Sequence, residues 1–272
     1  MKKYIYILTA IVLGVVASCA TNPFSGKKTW ALVPDSQILP SAFAQYSTFL
    51  KENKVVTGTT NAKLVESVGI KIKNAAERYL NANGYEGYLK DYRWEYKLVE
   101  SKEVNAWCMP GGKIVVYSGI LPVTKNEAGL ATVLGHEVAH ALANHGQQRM
   151  SAGVFQELGA AGTQVLVGEK SAQTQALAMQ AYGMGSQVLG VLPFSRSHES
   201  EADEIGLTLM AIAGYNPDES VLFWGRMSAN AGGGAPPEFL STHPSDVTRM
   251  NNLKRLIPVA KANAAKFGVK FK

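Results

Sequence analysis

The segment His136-Glu137-Val138-Ala139-His140 constrains this chain more than any other feature. It lies in a run from Glu127 to Met150 whose apolar residues recur at helical spacing, so a helix is predicted there. Side chains four residues apart project from one face of a helix, so both imidazoles can reach one tetrahedral metal ion. Glu137 lies at the edge of that face, where its carboxylate can act as a base on water. The pattern therefore predicts a zinc site with Glu137 as the catalytic residue.

A zinc site with three protein ligands needs one more donor. An acidic segment near residue 200 begins a second predicted helix, in which Glu199 and Asp203 are four residues apart. Glu199 is predicted to be the third ligand, and Asp203 is predicted to accept the other N–H of a zinc-bound histidine. Glu201 lies about 200° round the helix from Glu199 and is the less favoured ligand, although local unwinding could reverse that choice. His145, further along the first helix, is expected at its solvated end.

The remaining pattern indicates a single α+β domain, mainly helical and with a small antiparallel β-sheet. Helical runs cover about 41–53 and 61–82, and the pattern after residue 124 is helical almost to the end. Between them, Pro110-Gly111-Gly112 indicates a hairpin turn. Strand-like runs lie at 92–99, 104–109 and 113–117.

Four segments of the sequence together resemble the gluzincin metallopeptidases of the HtpX and CAAX prenyl protease type, and in particular their periplasmic lipoprotein branch. The segments are His136–His140, Ser195–Asp203, Asn105-Ala106 with Pro110-Gly111-Gly112, and Thr242-His243-Pro244 followed by Arg249. The resemblance covers roughly residues 60–257 and implies a zincin-like metallopeptidase domain with one Zn²⁺ per chain. Transmembrane helices flank the motif in the HtpX and prenyl protease branches, whereas the glutamine-containing run 171–195 is a poor membrane span.

The resemblance also implies roles for residues that helical spacing alone does not identify. Asn105 and the strand beside it would border the active-site cleft, and that strand could pair with an extended substrate backbone. His243 would sit over the metal, as a fourth ligand or as a latch. Arg249, His198 and His243 are all candidates to stabilise the transition state, and the sequence does not choose among them. The implied activity is hydrolysis of peptide bonds in unfolded or exposed polypeptides, as in protein quality control.

The first eighteen residues resemble the signal peptide of a bacterial lipoprotein. Lys2 and Lys3 precede an apolar run that ends in small residues directly before Cys19, as such a signal requires. We therefore expect cleavage before Cys19, a lipid on its sulfur and a membrane-anchored tether over residues 19–40, followed by the peptidase domain over 41–272. An ordinary secretory peptide is the alternative. Ala20 after the cysteine favours the periplasmic face of the outer membrane.

Composition excludes several other classes of protein. With 46% hydrophobic and 18% charged residues, the chain is globular rather than disordered or fibrous. The formal net charge of +6 comes without interleaved aromatics or a known module, so no nucleic-acid partner is expected. A different function would be a lipid-anchored periplasmic chaperone or assembly factor whose metal site is structural or latent. The presence of Glu137 argues against it, because a structural site has no use for a base.

Overall fold

The computed structural model describes residues 19–186, 192–230, 237–244 and 247–271. The predicted signal peptide, residues 1–18, lies outside these ranges. The helices of the described chain are α1 Asp35–Glu52, α2 Thr60–Ala82, α3 Leu121–Thr124, α4 Glu127–Leu142, α5 His145–Val167, α6 Ala172–Ser186, α7 Leu192–Ile212, α8 Glu219–Asn230, α9 Glu238–Thr242 and α10 Val247–Ala265. The strands are β1 Cys19–Thr21, β2 Lys28–Trp30, β3 Val55–Val56, β4 Glu95–Val99, β5 Ala106–Met109 and β6 Lys113–Tyr117.

Helix α4, which carries the two motif histidines, runs through the centre of the core. Its side chains are apolar almost all round, and every residue from Gly129 to Leu142 is buried, as expected for a helix covered on all sides. The Asn126 side chain accepts a hydrogen bond from Gly129 N at 2.7 Å and so caps the N-terminus,. Helices α2, α7 and α8 pack around it. The polar motif is therefore held rigidly inside the domain.

Helices α4 and α7 cross at a pair of glycines, Gly135 and Gly206. A Cβ atom on Gly135 would lie 2.8 Å from the carbonyl oxygen of Gly206, and one on Gly206 would lie 2.9 Å from the backbone nitrogen of His136. Such distances are shorter than real Cβ contacts, so only glycine allows the two backbones to approach this closely. The crossing brings the two predicted ligand segments together.

The main sheet has the strand order β3-β4-β6-β5. The predicted α+β architecture is confirmed, with one difference: β4 and β6 are parallel, while the other pairs are antiparallel. The hairpin at Gly111 and Gly112, both with φ of +82°, returns β6 to the space between β4 and β5. Sequence order alone would have placed β5 next to β4. As a result, β5 is an edge strand.

The predicted tether over residues 19–40 differs from the structure. Strands β1 and β2 form a separate two-stranded sheet, and α1 already begins at Asp35. The turn between the strands places Gly26 at φ +68° and is closed by hydrogen bonds of Asn22. Side chains of this turn reach Glu201 of α7, far away in sequence, which local patterns cannot show.

The single helix predicted from Glu127 to Met150 is in fact two helices. Helix α4 ends at Leu142, and Asn144 adopts a left-handed conformation with φ of +56°. Helix α5 starts at His145 and packs against α6, the next helix in sequence. The hydroxyl of Tyr182 in α6 donates to Gln156 O in α5 at 2.9 Å. No helix in the described ranges is long and apolar enough to cross a membrane.

Candidate metal centre

Four side chains from three parts of the fold converge at one point. His136 and His140 come from α4, Glu199 comes from α7, and His243 directly follows α9. Their potential ligand atoms all lie within 4.8 Å of one another. His136 Nε2 is 3.1 Å from both His140 Nε2 and His243 Nδ1, and His243 Nδ1 is 2.9 Å from Glu199 Oε2. The group has the size of a coordination sphere.

The donor set fits a zinc ion. His140 is buried, and burial holds its pKa well below the usual value; its Nε2 lies 3.1 Å from the Nε2 of His136. Burial alone would raise the pKa of Glu199, but hydrogen bonds with the three histidines outweigh it and hold that pKa far below its usual range. Converging imidazole nitrogens with one carboxylate form a typical zinc ligand set, and a cation removes the repulsion between their lone pairs.

His136 is held in orientation by Asp203. Its Nδ1 lies 3.0 Å from Asp203 Oδ1, which leaves Nε2 directed at the ligand group. Burial would lower the pKa of His136, but hydrogen bonds with Asp203 and Glu199 outweigh it and raise the pKa to about 9. A metal ion and a proton therefore compete for Nε2, and metal binding releases that proton. Asp203 thus lies where the sequence placed it, one turn after Glu199 and behind a histidine ligand.

Arg249 connects Asp203 to the segment that carries His243. Its guanidinium donates to both carboxylate oxygens of Asp203, at 2.9 and 2.7 Å, and to the carbonyl oxygen of Pro244 at 3.0 Å. The same group lies 3.6 Å from the ring centroid of Trp224, a cation–π contact. Arg249 is buried and engaged on all these sides. These contacts make Arg249 a support for the site, with its Nη1 also 3.5 Å from Glu199 Oε2.

Glu137 is buried beside the ligands with one oxygen available. It is 4% exposed, and its Oε1 lies 3.4 Å from His243 Nε2. That oxygen accepts no hydrogen bond from the described residues. Burial raises the pKa of Glu137, which brings the carboxylate closer to the basicity that proton transfer near neutral pH requires. A buried carboxylate with an unused acceptor next to a metal site is suited to hold and move a proton.

The family model of peptidase family M48 matches residues 71–257 of this chain. The chain belongs to peptidase family M48. The matched region contains all four converging side chains, and the resemblance drawn from the sequence motifs is confirmed at the level of the family.

Curated relatives of this M48 chain come from mitochondria and from bacteria. Mitochondrial metalloendopeptidase OMA1 of Saccharomyces cerevisiae is 35% identical over 206 residues, which are 72% of this chain and 56% of the relative. Human OMA1 is 29% identical over 248 residues, 88% of this chain and 46% of the relative. The beta-barrel assembly-enhancing protease of Escherichia coli is 29% identical over 164 residues, 58% of this chain and 33% of the relative. The aligned regions thus span a third to just over half the length of these relatives.

His145 is a member of the M48 site that the sequence reasoning missed. It was expected at a solvated helix end, but it is fully buried, and its Nδ1 lies 2.8 Å from His140 Nδ1. On a continuous helix it would lie about 140° round from His140. The helix break at Asn144 turns it back towards the metal ligands. Asn144 and Gly146 on either side of it were the available signal, since both residue types favour helix ends.

Two other candidates, His198 and Asn105, lie around the four converging side chains. His198 stacks on His145 with ring centroids 4.0 Å apart, and its Nε2 lies 3.1 Å from Gln148 Oε1. It therefore belongs to the layer behind the ligands and does not face them. Asn105 uses its side-chain oxygen to accept from Ala106 N at 2.8 Å, so it shapes the start of β5.

Strand β5 offers an open backbone edge beside the metal-binding helix, against which it packs. Tyr117 N donates to Asn105 O at 3.0 Å, so the alternate residues Asn105, Trp107 and Met109 pair with β6. The carbonyl oxygen of Ala106 and the backbone groups of Cys108 lie on the outer side, where no other strand in the described chain pairs with β5; the Ala106 N–H is already bonded to Asn105 Oδ1. Cys108 is a free thiol whose pKa is raised well above 9.0 by burial. The sequence prediction of a strand that borders the cleft agrees with this placement.

Proposed function

We propose that this M48 protein is a zinc-dependent endopeptidase that cleaves polypeptide segments in extended conformation. The observation that carries the proposal is the convergence of His136, His140 and Glu199 next to Glu137, a buried carboxylate with an unused oxygen. A structural zinc site would need the ligands but would not need this base. The names of the relatives, which are metalloendopeptidases and proteases, support the same reaction class.

The residues of this chain divide the work of peptide hydrolysis between them. Zn²⁺ held by His136, His140 and Glu199 would make water a stronger nucleophile near neutral pH and polarise the scissile carbonyl. Glu137 takes the proton of the attacking water and later delivers it to the leaving amine. Asp203 keeps His136 in the tautomer that presents Nε2,.

The open edge of β5 supports a preference for unfolded or exposed polypeptides. An extended segment added to this edge would form backbone hydrogen bonds with the carbonyl oxygen of Ala106 and the backbone groups of Cys108, and such bonds are independent of side-chain identity. We infer misfolded or unassembled proteins of the cell envelope as substrates, in protein quality control. The bacterial relatives named for β-barrel assembly support this role.

The N-terminal sequence supports a location at the periplasmic face of the bacterial cell envelope. We infer that Cys19 carries a lipid that anchors the chain, most simply in the outer membrane because Ala20 follows it. Mass spectrometry of the mature protein should find a diacylglyceryl adduct on residue 19. A free amino terminus at any other position would contradict the anchor without touching the peptidase proposal.

Glu137→Gln tests the peptidase mechanism. The variant keeps the size of the side chain but removes the base, so casein cleavage by the purified protein should fall by about 10²–10⁴-fold while zinc stoichiometry stays at the wild-type level. Glu127→Gln on the same helix is the matched control, because Glu127 is exposed and pairs with Lys71 on the surface. Equal rates of casein cleavage by the wild type and Glu137→Gln would contradict this mechanism.

A chaperone or assembly factor with a closed metal site is the second candidate function. One observation favours it: His243 supplies a fourth donor in this conformation and so completes the ligand set as a structural site would. The two functions differ in a complementation test. If cells that carry Glu137→Gln keep full envelope function and the variant keeps zinc, the chaperone is the better description.

A further inference from the structure

Behind the metal ligands, a second series of contacts runs from His140 away from the site. His140 Nε2 faces the other donors, and its Nδ1 lies 2.8 Å from Nδ1 of His145. The opposite nitrogen of His145, Nε2, lies 3.5 Å from Glu201 Oε2. Two imidazoles and a carboxylate are thus lined up behind one metal ligand.

Metal binding at His140 would fix the protons along this line of groups. If His140 Nε2 binds a metal ion, the proton of that neutral ring is on Nδ1 and is donated to His145. His145 Nδ1 must then accept, so its proton is on Nε2, which lies 3.5 Å from Glu201 Oε2, in contact range but outside hydrogen-bond geometry.

Glu201 is itself held by the turn between β1 and β2. Its Oε1 accepts from Asn22 Nδ2 at 2.9 Å and from the hydroxyl of Ser25, and Lys27 Nζ lies 3.4 Å from Oε2. Three side chains of the turn and the ring of His145 thus surround this carboxylate and restrain its position.

The turn holds the side-chain amide of Asn22 in the one orientation that directs its nitrogen at Glu201. Asn22 Oδ1 accepts from Phe24 N at 2.8 Å, which leaves the amide nitrogen directed at Glu201. The side chain is 3% exposed, and Gly26 N donates to Asn22 O at 2.8 Å to close the turn. The contact between the hairpin and α7 is thus specific in its hydrogen bonding.

We propose that His145 is a positioning residue for the metal ligand His140, and that the N-terminal hairpin, residues 19–30, holds His145 in place through Glu201. The first part rests on the proposed zinc site. The hairpin begins at Cys19, the residue expected to carry the lipid. The segment that leads to the membrane thus contributes to metal binding through Glu201 and His145.

Zinc dissociation into a chromogenic chelator tests the proposal without reference to peptidase activity. His145→Leu removes the acceptor for His140 and should speed zinc release by about 10–100-fold. His145→Asn can place its side-chain oxygen where Nδ1 was, so release should return towards the wild-type rate. The absorption bands of the Co²⁺-substituted protein should shift in the Leu variant and recover in the Asn variant.

The hairpin is tested by Asn22→Asp. Aspartate keeps the acceptor for Phe24 N but replaces the amide donor by a charged oxygen against Glu201, so zinc release should accelerate. Lys28→Ala on the same hairpin is the control, because Lys28 is exposed, and it should release zinc at the wild-type rate. In the His145→Leu background, Asn22→Asp should add nothing, because both changes interrupt one series of contacts.

Each outcome has a distinct meaning. Wild-type release rates for both His145→Leu and Asn22→Asp would overturn the proposal, and a full additional effect of Asn22→Asp in the double variant would overturn the part that concerns the hairpin. Asn22→Asp leaves the core unchanged, so it decides the question if His145→Leu does not fold. A merely structural role would lower the melting temperature of the metal-free variants and leave zinc release unchanged. A wild-type protein that binds no zinc would instead refute the proposed function itself.

Discussion

His243 shows how one residue can be both a ligand and an obstacle. Its Nδ1 lies among the donor atoms, while its Nε2 lies 3.4 Å from Glu137 Oε1. In this position it completes the ligand set and faces the base at the same time, so it occupies the space that a water molecule would need. Arg249 holds the carbonyl oxygens of His243 and Pro244, which stabilises this arrangement.

His243→Ala should therefore raise basal casein cleavage. If about nine tenths of the molecules are closed, removal of the latch gives about a tenfold rise, measured as the initial rate with zinc-saturated protein. Ser241→Ala, at an exposed neighbouring position, should show no change. A fall in the rate would indicate that His243 stabilises the transition state instead. An unchanged rate would contradict the proposal that His243 blocks the site.

At the scale of elements, the site depends on how closely α4 and α7 approach. Two of the proposed ligands and the proposed base come from α4, and the proposed carboxylate ligand and its neighbour Asp203 come from α7. The Gly135–Gly206 contact sets the distance between the helices. Any side chain there separates the two halves of the site before it affects any ligand directly.

Gly206→Ala should destabilise the fold by about 1–3 kcal/mol, because the new methyl group collides with backbone atoms that cannot move independently. Urea unfolding measures this loss, and zinc release should be faster in the same variant. Gly162→Ala in α5 is the control: its Cβ meets nothing within 4 Å, so the helix gains up to about 1 kcal/mol. An unchanged urea midpoint for Gly206→Ala would contradict the close crossing.

For the whole molecule, a zinc ion would join parts of the chain that are distant in sequence. The donors come from α4, from α7 and from the segment after α9, so they come together only in the folded chain. A ligand that binds the folded state alone stabilises it by mass action. Metal binding and global stability are therefore coupled in this fold.

Chelation of zinc should lower the melting temperature by about 10 °C. Zinc at about a thousand times its dissociation constant contributes about 4 kcal/mol, and each kcal/mol shifts the melting temperature by about 2–4 °C in a domain of this size. Calorimetry with and without chelator measures the shift, which added zinc should reverse. Glu137→Gln should keep the shift and His140→Ala should lose it; a wild-type protein that melts at the same temperature in both conditions would contradict zinc binding.

Local periodicity was enough to place the residues that share one helix face. His136 and His140, like Glu199 and Asp203, are four residues apart, and the structure brings all four together. Periodicity failed where the backbone changes direction or where contacts are distant in sequence. The break at Asn144 redirected His145, and the contact of Asn22 with Glu201 spans 179 residues. The position of β6 beside β4 likewise depends on the hairpin and not on strand order.

The unpaired edge of β5 has a consequence for how this protein would choose among its clients. In a folded client, the backbone amide and carbonyl groups are already hydrogen-bonded within the client itself. A segment of the client must therefore unfold locally before it can pair with the edge of β5. The free energy of that opening subtracts from the binding energy, and each 1.4 kcal/mol reduces capture about tenfold. Clients would then be ranked by how easily a segment of their chain unfolds locally, with little dependence on the amino-acid sequence of that segment.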